Sequence, residues 1–305
     1  MTWRSLVITE PARLKLSQRA VRIQQDDRDV RVPLEDIAVV VIDQPQVLIT
    51  AALLGAFADA GIAVVTTGAN HHPNGVLLSY SPHSRSLKVL RQQLDLGKPQ
   101  RKRLWQHIVQ RKLVNQSEVL NRRGQEQPAH RLQTIAERVR SGDPDNHESQ
   151  GAQVYFPALF GKGFSRRKQA LHNAALDFGY AIVRATLARS LVAHGFITAL
   201  GIHHRSELNP FNLADDLLEP FRPIVDEHVL THFPLETEER ELRRTDKATL
   251  VNILHHDVGQ LDKTDEVGRC TVLHAAESTV ISLVQRLNDG EQHLRLPRLP
   301  LSPPA

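Results

Sequence analysis

The chain has 305 residues, of which 41% are hydrophobic and 24% charged, as in a soluble globular protein long enough for two ordinary domains. Its single cysteine, Cys270, excludes an internal disulfide and agrees with a reducing compartment. The N-terminus lacks the pattern of a secretory signal, and apolar runs such as IAVVVI at 37–42 are too short to span a bilayer. We therefore expect a cytoplasmic protein without membrane contact.

The net charge is only +4, but it is unevenly distributed. Residues 85–140 contain 14 Lys and Arg against four acids, a local charge of +10, whereas residues 201–246 are acidic. A basic face beside an acidic region favours a polyanion bound outside and cations bound inside. The alternative is that the basic helices are merely solvated.

The first eighty residues predict a small β domain. Short stretches rich in β-branched residues, several of them alternating between apolar and polar, predict strands at WRSLVIT, ARLKLS, AVRIQQ, RDVRVPL and IAVVVID. Residues 49–61 predict one helix, which ends at Gly61 and packs on these strands. We assign residues 1–82 to this domain.

Beyond residue 83 the apolar spacing becomes helical. Predicted helices cover Leu87–Gln93, Arg101–Val114, His130–Arg140, a segment opening at Glu148, residues 166–195, and the stretches PLETEEREL and TDKATLVNILHHDVGQL. Residues 166–195 are apolar nearly all round, which is typical of a buried central helix. The predicted fold class is therefore α+β, with an all-α catalytic domain at 83–295 and a disordered, proline-rich tail at 296–305.

The stretch GIHHRSELNPFNLADDLLEPFRPIVD at 201–226 combines histidines with carboxylates. Pro210 cannot continue a helix, and Asn212 is expected to cap a new one, which brings Glu219 back beside His204. Asp216, three residues before Glu219, would share its face. A divalent metal site is one interpretation, and a solvated, capped helix start is the other.

Three separated motifs carry a resemblance to a known family. The pieces GIHH and LADDLLEPFRP resemble the signature of the CRISPR-associated integrases, the larger of the two universal spacer-acquisition proteins. HESQGAQVYFPALFG at 147–161 resembles that family's first motif, and HNAALDFGYAIVRA at 172–185 resembles its long central helix. The segments WRSLVIT and VPLEDIAVVVID resemble the β domain of members from type II systems, so the likeness covers nearly the whole chain.

The resemblance implies that Glu148, His204 and Glu219 are the catalytic residues and the ligands of a divalent ion, with Asp216 as a supporting residue or additional ligand. Two carboxylates and one imidazole suit Mg²⁺ or Mn²⁺. The implied reaction inserts short DNA fragments, the spacers, into a CRISPR array by attack of a 3′-hydroxyl on a phosphodiester. His204 could instead act as a general acid or base. A metal-dependent nuclease that only cleaves DNA and a non-catalytic DNA-binding scaffold are the alternative functions.

The resemblance also implies partners. They are double-stranded DNA as prespacer and repeat, a second copy of the chain, a small partner protein of the acquisition complex, and the type II effector nuclease. We expect the β domain to form the homodimer contact, because its strands offer edges for pairing. Candidate phosphate-binding residues are Arg101, Lys102, Arg103, Arg166, Arg167 and Arg205.

Overall fold

The computed structural model describes residues 4–68, 73–80, 83–166, 168, 170–261, 267–289 and 294–299. It shows N-terminal strands followed by a mostly helical remainder, so the predicted α+β class is confirmed at that level. The boundaries of the two predicted domains, at 1–82 and 83–295, stay predictions.

Two sheets form the N-terminal part, and the strands lie close to the predicted stretches. One sheet has the order β1-β5-β7-β8, in which β1, β5 and β7 are parallel and β8 is antiparallel to β7. The other has the order β4-β3-β2-β6. The strands are β1 (Arg4–Ile8), β2 (Arg13–Ser17), β3 (Ala20–Gln24), β4 (Asp29–Pro33), β5 (Ile37–Ile42), β6 (Leu48–Ile49), β7 (Ala63–Thr67) and β8 (Pro73–Leu77).

Strand β5 is buried on both faces. Its residue Val40 packs with Leu14, with Phe57 and with other residues between the two sheets and the predicted helix, which is observed as α1 (Ala51–Asp59). Its neighbours Val39 and Val41 point to the opposite face and belong to the core of the helical part. This explains the unbroken apolar run at 37–42, since a central parallel strand has no solvated face.

A buried ion pair also joins the two parts. Asp43, at the end of β5, accepts a hydrogen bond of 2.5 Å from the Lys247 ammonium and one of 2.8 Å from the Thr67 hydroxyl. The side chains of Lys247 and Asp43 are only 2% and 1% exposed. We call these two residues the sealed pair.

The helical part is built around α6, whose burial confirms the prediction of a central helix. The helices are α2 (Ser86–Asp95), α3 (Lys98–Arg122), α4 (Glu126–Arg138), α5 (His147–Phe160), α6 (Leu171–Ala193), α7 (Asn212–Leu218), α8 (Arg222–His232), α9 (Arg244–Val251) and α10 (Val272–Asp289). None of the helices in the described part of the chain is long and apolar enough to cross a membrane.

The prediction of an all-α remainder is wrong, because this part also contains a small antiparallel sheet. Its order is β10-β9-β11, with β9 (Asp257–Leu261), β10 (Val267–Thr271) and β11 (Pro297–Arg298). Strand β9 lies in a stretch that we predicted to be helical, and pairing on both of its edges overrides the helical pattern. The tail prediction is wrong for 297–298, which pair with β9, and residues 300–305 lie outside the described part.

A second helix prediction is also wrong. Residues 234–242, the PLETEEREL stretch, form turns and irregular backbone rather than a helix. The acidic residue Asp246 lies just beyond them and accepts hydrogen bonds from the Arg240 guanidinium and from the Arg243 amide. These contacts fix the irregular backbone of the segment against the start of α9.

Candidate active site

The first predicted carboxylate, Glu148, lies in the first turn of α5. The helix starts there because the Asp143 carboxylate accepts the His147 and Glu148 amides, at 2.8 and 3.0 Å, and Asn146 accepts the Ser149 amide at 3.4 Å. Helix starts leave amides without partners, and these side chains satisfy them. The Glu148 side chain is 26% exposed, so one edge of the site meets solvent.

Glu148 and Glu219 converge on one ammonium group. The Lys112 side chain projects from the buried face of α3 and donates to Glu148 Oε1 at 2.7 Å and to Glu219 Oε2 at 2.5 Å. Two carboxylates that are far apart in the sequence are thus brought onto a single cation. We call Lys112, Glu148, Glu219 and Arg222 the site cluster.

Glu219 lies in the single 3-10 turn between α7 and α8, and its side chain is 5% exposed. The Arg222 guanidinium, one turn further on, donates to Glu219 Oε1 at 2.8 Å. Burial alone would raise the pKa of the Glu219 carboxyl, but the charges of Arg222 and Lys112 outweigh it and lower that pKa to about 2. Glu219 is therefore ionised throughout the neutral range.

Asp216 is fully buried and organises the loop that carries the histidines. Its Oδ2 accepts the Ile202 and His203 amides at 2.5 and 3.0 Å, and its Oδ1 accepts the His204 amide at 3.0 Å. At Gly201 an added Cβ would lie 2.4 Å from the His204 carbonyl oxygen, so only glycine allows this close approach. These contacts make Asp216 a positioning residue and occupy both of its oxygens.

The His204 imidazole is oriented from two sides. Its Nδ1 lies 2.7 Å from Asp216 Oδ1, and its edge meets the Trp105 ring at a centroid distance of 5.8 Å. The hydrogen bond with Asp216 raises the pKa of His204 despite partial burial, and the charge of Glu219 adds to the effect. His203 stacks on the same Trp105 ring with centroids 4.1 Å apart.

The three predicted ligands do not form a closed metal cluster. Among the described residues, no three His, Cys, Asp or Glu side chains are disposed to hold a metal ion. The carboxylates of Glu148 and Glu219 meet at Lys112, whereas the imidazole of His204 bonds to Asp216. The predicted roles of these residues therefore stay predictions.

Asn212 does not cap α7, contrary to the prediction. Helix α7 begins at Asn212 itself, and its side chain donates back to the carbonyls of Ala199 and Ser206 at 3.1 and 2.9 Å. Asn209 instead accepts the Phe211 amide and donates to Asp215 at 2.7 Å. The turn still returns Glu219 to the vicinity of the histidine loop, as the proline break predicted.

The candidate DNA-binding residues fall into two groups. Lys102, Arg103 and Arg205 are exposed. Arg101 donates to the carbonyls of Leu96 and Gln93 at the end of α2, and Arg166 bonds to Asn173 and Asp177. Arg167 lies outside the described residues.

Asn173 and Arg222 each stabilise the local structure around the site. The Asn173 amide donates to the Ser165 and Lys168 carbonyls and fixes the loop before α6. Arg222 bonds to Glu219 and lies over the Tyr180 ring, 4.6 Å from its centroid.

Lys112 was missed by sequence reasoning, although a signal was present. It lies on the same face of α3 as Ile108, Val109 and Trp105, at helical spacing, and all three of those residues are buried. A lysine on a core-facing stripe is almost never buried without a partner. The pattern therefore predicts that a carboxylate from elsewhere in the chain faces Lys112 on α3.

Comparisons with known proteins assign the class of this protein. Residues 6–250 match the family model described as CRISPR associated protein Cas1, so the chain is a CRISPR-associated protein. The chain is also 43% identical over 300 residues to the CRISPR-associated endonuclease Cas1 of Neisseria meningitidis serogroup C (strain 8013), with 98% of this chain and 97% of the relative covered. It belongs to the Cas1 family, and the predicted family membership is confirmed.

Solved structures share the fold. A casposase bound to integration product matches with a TM-score of 0.77 and 17% identity, covering 95% of this chain and 92% of that one. A CAS1 protein from Thermotoga maritima matches with a TM-score of 0.74 and 14% identity, covering 94% and 97% of the two chains. The predicted combination of a β-rich start and a mostly helical remainder is thus the fold of these proteins.

Proposed function

We propose that this protein is a DNA endonuclease and integrase of CRISPR spacer acquisition, which joins the 3′-hydroxyl of a short DNA fragment to a phosphodiester of the array. Membership in the Cas1 family and the relative named an endonuclease support the enzyme class. The observation that carries the proposal is the convergence of Glu148 and Glu219 on one buried cation, beside a histidine held by an aspartate.

The chemistry of these residues, rather than their spacing in the structure, fits a divalent ion. Glu148 and Glu219 already share a cation, and His204 Nε2 has no hydrogen-bond partner among the described residues, while Nδ1 is bonded to Asp216. Carboxylate oxygens and one imidazole nitrogen suit Mg²⁺ or Mn²⁺, and we propose Glu148, His204 and Glu219 as the ligands. A divalent ion bound there would polarise the scissile phosphodiester and stabilise the oxygen that leaves it.

The other residues of the site position these groups. Asp216 accepts the Nδ1–H of His204, which leaves Nε2 as the basic nitrogen that faces a ligand or a proton. Arg222 keeps Glu219 ionised and aimed at the site. Exposed Lys102, Arg103 and Arg205 would contact the phosphate backbone, which positions DNA without reading its sequence.

We also propose the predicted assembly. Integration acts on two phosphodiesters separated by a repeat, which one compact site cannot reach, so at least two copies of the chain are required. The family resemblance implies a homodimer bridged by a small partner protein. The sheet β4-β3-β2-β6 presents β4 at its edge, and Leu16, Val30 and Leu48 on this sheet are exposed, which supports a dimer contact there. In this proposal the effector nuclease joins the same complex.

The test is an integration assay on supercoiled plasmid with Mn²⁺, with and without the small partner protein. We expect Glu148→Gln to reduce strand transfer by at least about a thousandfold, because it removes one of the two charges that hold the ion. The matched control is Glu126→Gln, an exposed acid in the first turn of α4, which should retain activity. Unchanged joining by Glu148→Gln would refute the proposal.

The same assay separates the two alternatives. A nuclease that only cleaves would give nicked or linear DNA and no product that joins the fragment to the plasmid. A non-catalytic scaffold would bind DNA and give neither product with any metal. The convergence of Glu148 and Glu219 argues against a scaffold, which has no need of two carboxylates facing one point.

A further inference from the structure

The ammonium of Lys112 lies between the two carboxylates that we propose as metal ligands. It is bonded to an oxygen of each, at 2.7 and 2.5 Å, and its side chain is only 10% exposed. An inference from this position rests on the proposed function, because it concerns the same site.

Electrostatics explains why a cation is needed here. Two carboxylates this close repel each other, and burial strengthens that repulsion. Arg222 bonds to the other oxygen of Glu219, and no described residue other than Lys112 is hydrogen-bonded or ion-paired to the Glu148 carboxylate. Lys112 is therefore the group that holds Glu148 against Glu219.

An ammonium and a divalent ion cannot occupy the same position between these oxygens. Each metal ligand atom must lie about 2 Å from the ion, which leaves no room for an ammonium in between. A second cation so close would also be repelled. Metal binding through Glu148 Oε1 and Glu219 Oε2 therefore requires the ammonium to move.

We propose that Lys112 is a displaceable resident cation, which keeps the two carboxylates paired in the metal-free protein and leaves its place when the divalent ion binds. The ammonium can move toward solvent, because the Glu148 side chain beside it is partly exposed and the lysine side chain is flexible. Lys112 is a positioning residue that stabilises the metal-free site and lowers its apparent affinity for the ion.

This role has an expected signature. Lys112→Met removes the competitor, so Mn²⁺ should bind at least about tenfold more tightly. In EDTA the same variant should melt at a lower temperature than the wild type, because Glu148 then faces Glu219 without the ammonium between them, while Glu219 keeps its bond to Arg222. Mn²⁺ should raise its melting temperature by more than it raises that of the wild type. Lys112→Arg retains the charge and should keep the weak affinity.

The experiment measures Mn²⁺ binding to full-length protein by calorimetry and by thermal melting, for the wild type, Lys112→Met, Lys112→Arg and Glu148→Gln. A second measurement needs no variant. The modification of Lys112 by an amine-reactive reagent, followed by mass spectrometry, should be slow in EDTA and faster with Mn²⁺, because the displaced ammonium becomes accessible.

The outcomes distinguish this inference from the proposed function. Tighter Mn²⁺ binding by Lys112→Met, together with faster labelling of the wild type with Mn²⁺, supports the inference. If Lys112→Met binds Mn²⁺ equally or more weakly while Glu148→Gln abolishes binding, the inference is overturned and the metal site stands. If Lys112→Met does not fold, unchanged labelling of a Mn²⁺-bound wild type overturns the inference equally. If the wild type binds no Mn²⁺ at millimolar concentration, both fail.

Discussion

The protein contains two buried lysine–carboxylate arrangements that differ in their access to solvent. In the sealed pair, Lys247 donates to Asp43, and both side chains are almost fully buried. In the site cluster, Lys112 is shared by two carboxylates, and Glu148 is 26% exposed. This difference in access leads us to expect a structural role for the sealed pair and, under the proposal for Lys112, an exchange of cations at the site cluster.

Among the variants that test this comparison, the largest effect is expected from breaking the sealed pair, which should lower the stability of the fold. Lys247→Met removes the ammonium that lies against the buried Asp43 carboxylate, and we expect a loss of about 3–5 kcal/mol in the free energy of unfolding, measured by urea denaturation. The double variant Lys247→Met with Asp43→Leu should recover most of that loss. Integration per folded molecule should be unchanged, and its loss in a protein of normal stability would mean that the sealed pair is functional.

The role of Asp216 in positioning His204 beside the site cluster can be tested by substitution. Asp216→Asn keeps the shape but places an amide where carboxylate oxygens accept N–H groups, and we expect integration to fall about ten- to a hundredfold. The pKa of His204, followed by NMR, should move down toward its ordinary value. The matched control is Asp215→Asn, since Asp215 bonds to the Asn209 side chain and not to the histidine loop. Equal losses in both variants would contradict the role of Asp216.

A buried acid beside the site predicts a pH dependence of stability. Asp226 accepts a hydrogen bond from Tyr180, and burial raises its pKa from 3.8 to about 6. The folded protein therefore holds this proton more tightly than the unfolded chain. The contribution of Asp226 to stability is fully present below about pH 3.8 and is lost as the pH rises through 6.

Asp226→Asn should remove this dependence. Between pH 4 and pH 7 the wild type should lose about 2 kcal/mol of stability relative to the variant, by chemical denaturation at each pH. A difference between the two proteins that does not change with pH would contradict the assignment.

The smallest effect is expected at the exposed basic residues. Arg103→Ala should weaken DNA binding a few-fold and lower the slope of log affinity against log salt by about one, because one phosphate contact is lost. Arg101→Ala is the matched control, since its guanidinium is engaged by the carbonyls at the end of α2 and its loss should affect stability instead. Identical salt slopes for Arg103→Ala and the wild type would remove Arg103 from the DNA surface.

Local patterns predicted the elements whose burial follows a simple period. The N-terminal strands, α1 and the central helix α6 were predicted because the spacing of their apolar residues indicates which face of each element is buried. Strand β9 was missed because its pairing partners, β10 and β11, come later in the chain. Its residues directly follow a helix-forming stretch, so we predicted them to be helical as well. Asn212 was misassigned as a cap because its side chain finds partners in an earlier loop.

The site could be predicted only in part. The spacing of His204 and Glu219 showed that a proline break could bring them together, but the contribution of Glu148 came from the family resemblance, because the approach of α5 to the turn that carries Glu219 depends on the tertiary fold. Lys112 was missed because a single charge in a basic helix is usually read as solvated. The buried stripe around it favours a partner for the lysine but does not say which carboxylates of the chain form that partner.

The strand Ile37–Ile42 gives one face to each of the two hydrophobic cores. Separating the β-rich start from the helical remainder would strip one face of that strand and expose Val39 and Val41 to water. We therefore expect heat or denaturant to melt the chain in a single transition. A fragment made of the helical remainder alone would then be a poor vehicle for studying the catalytic residues.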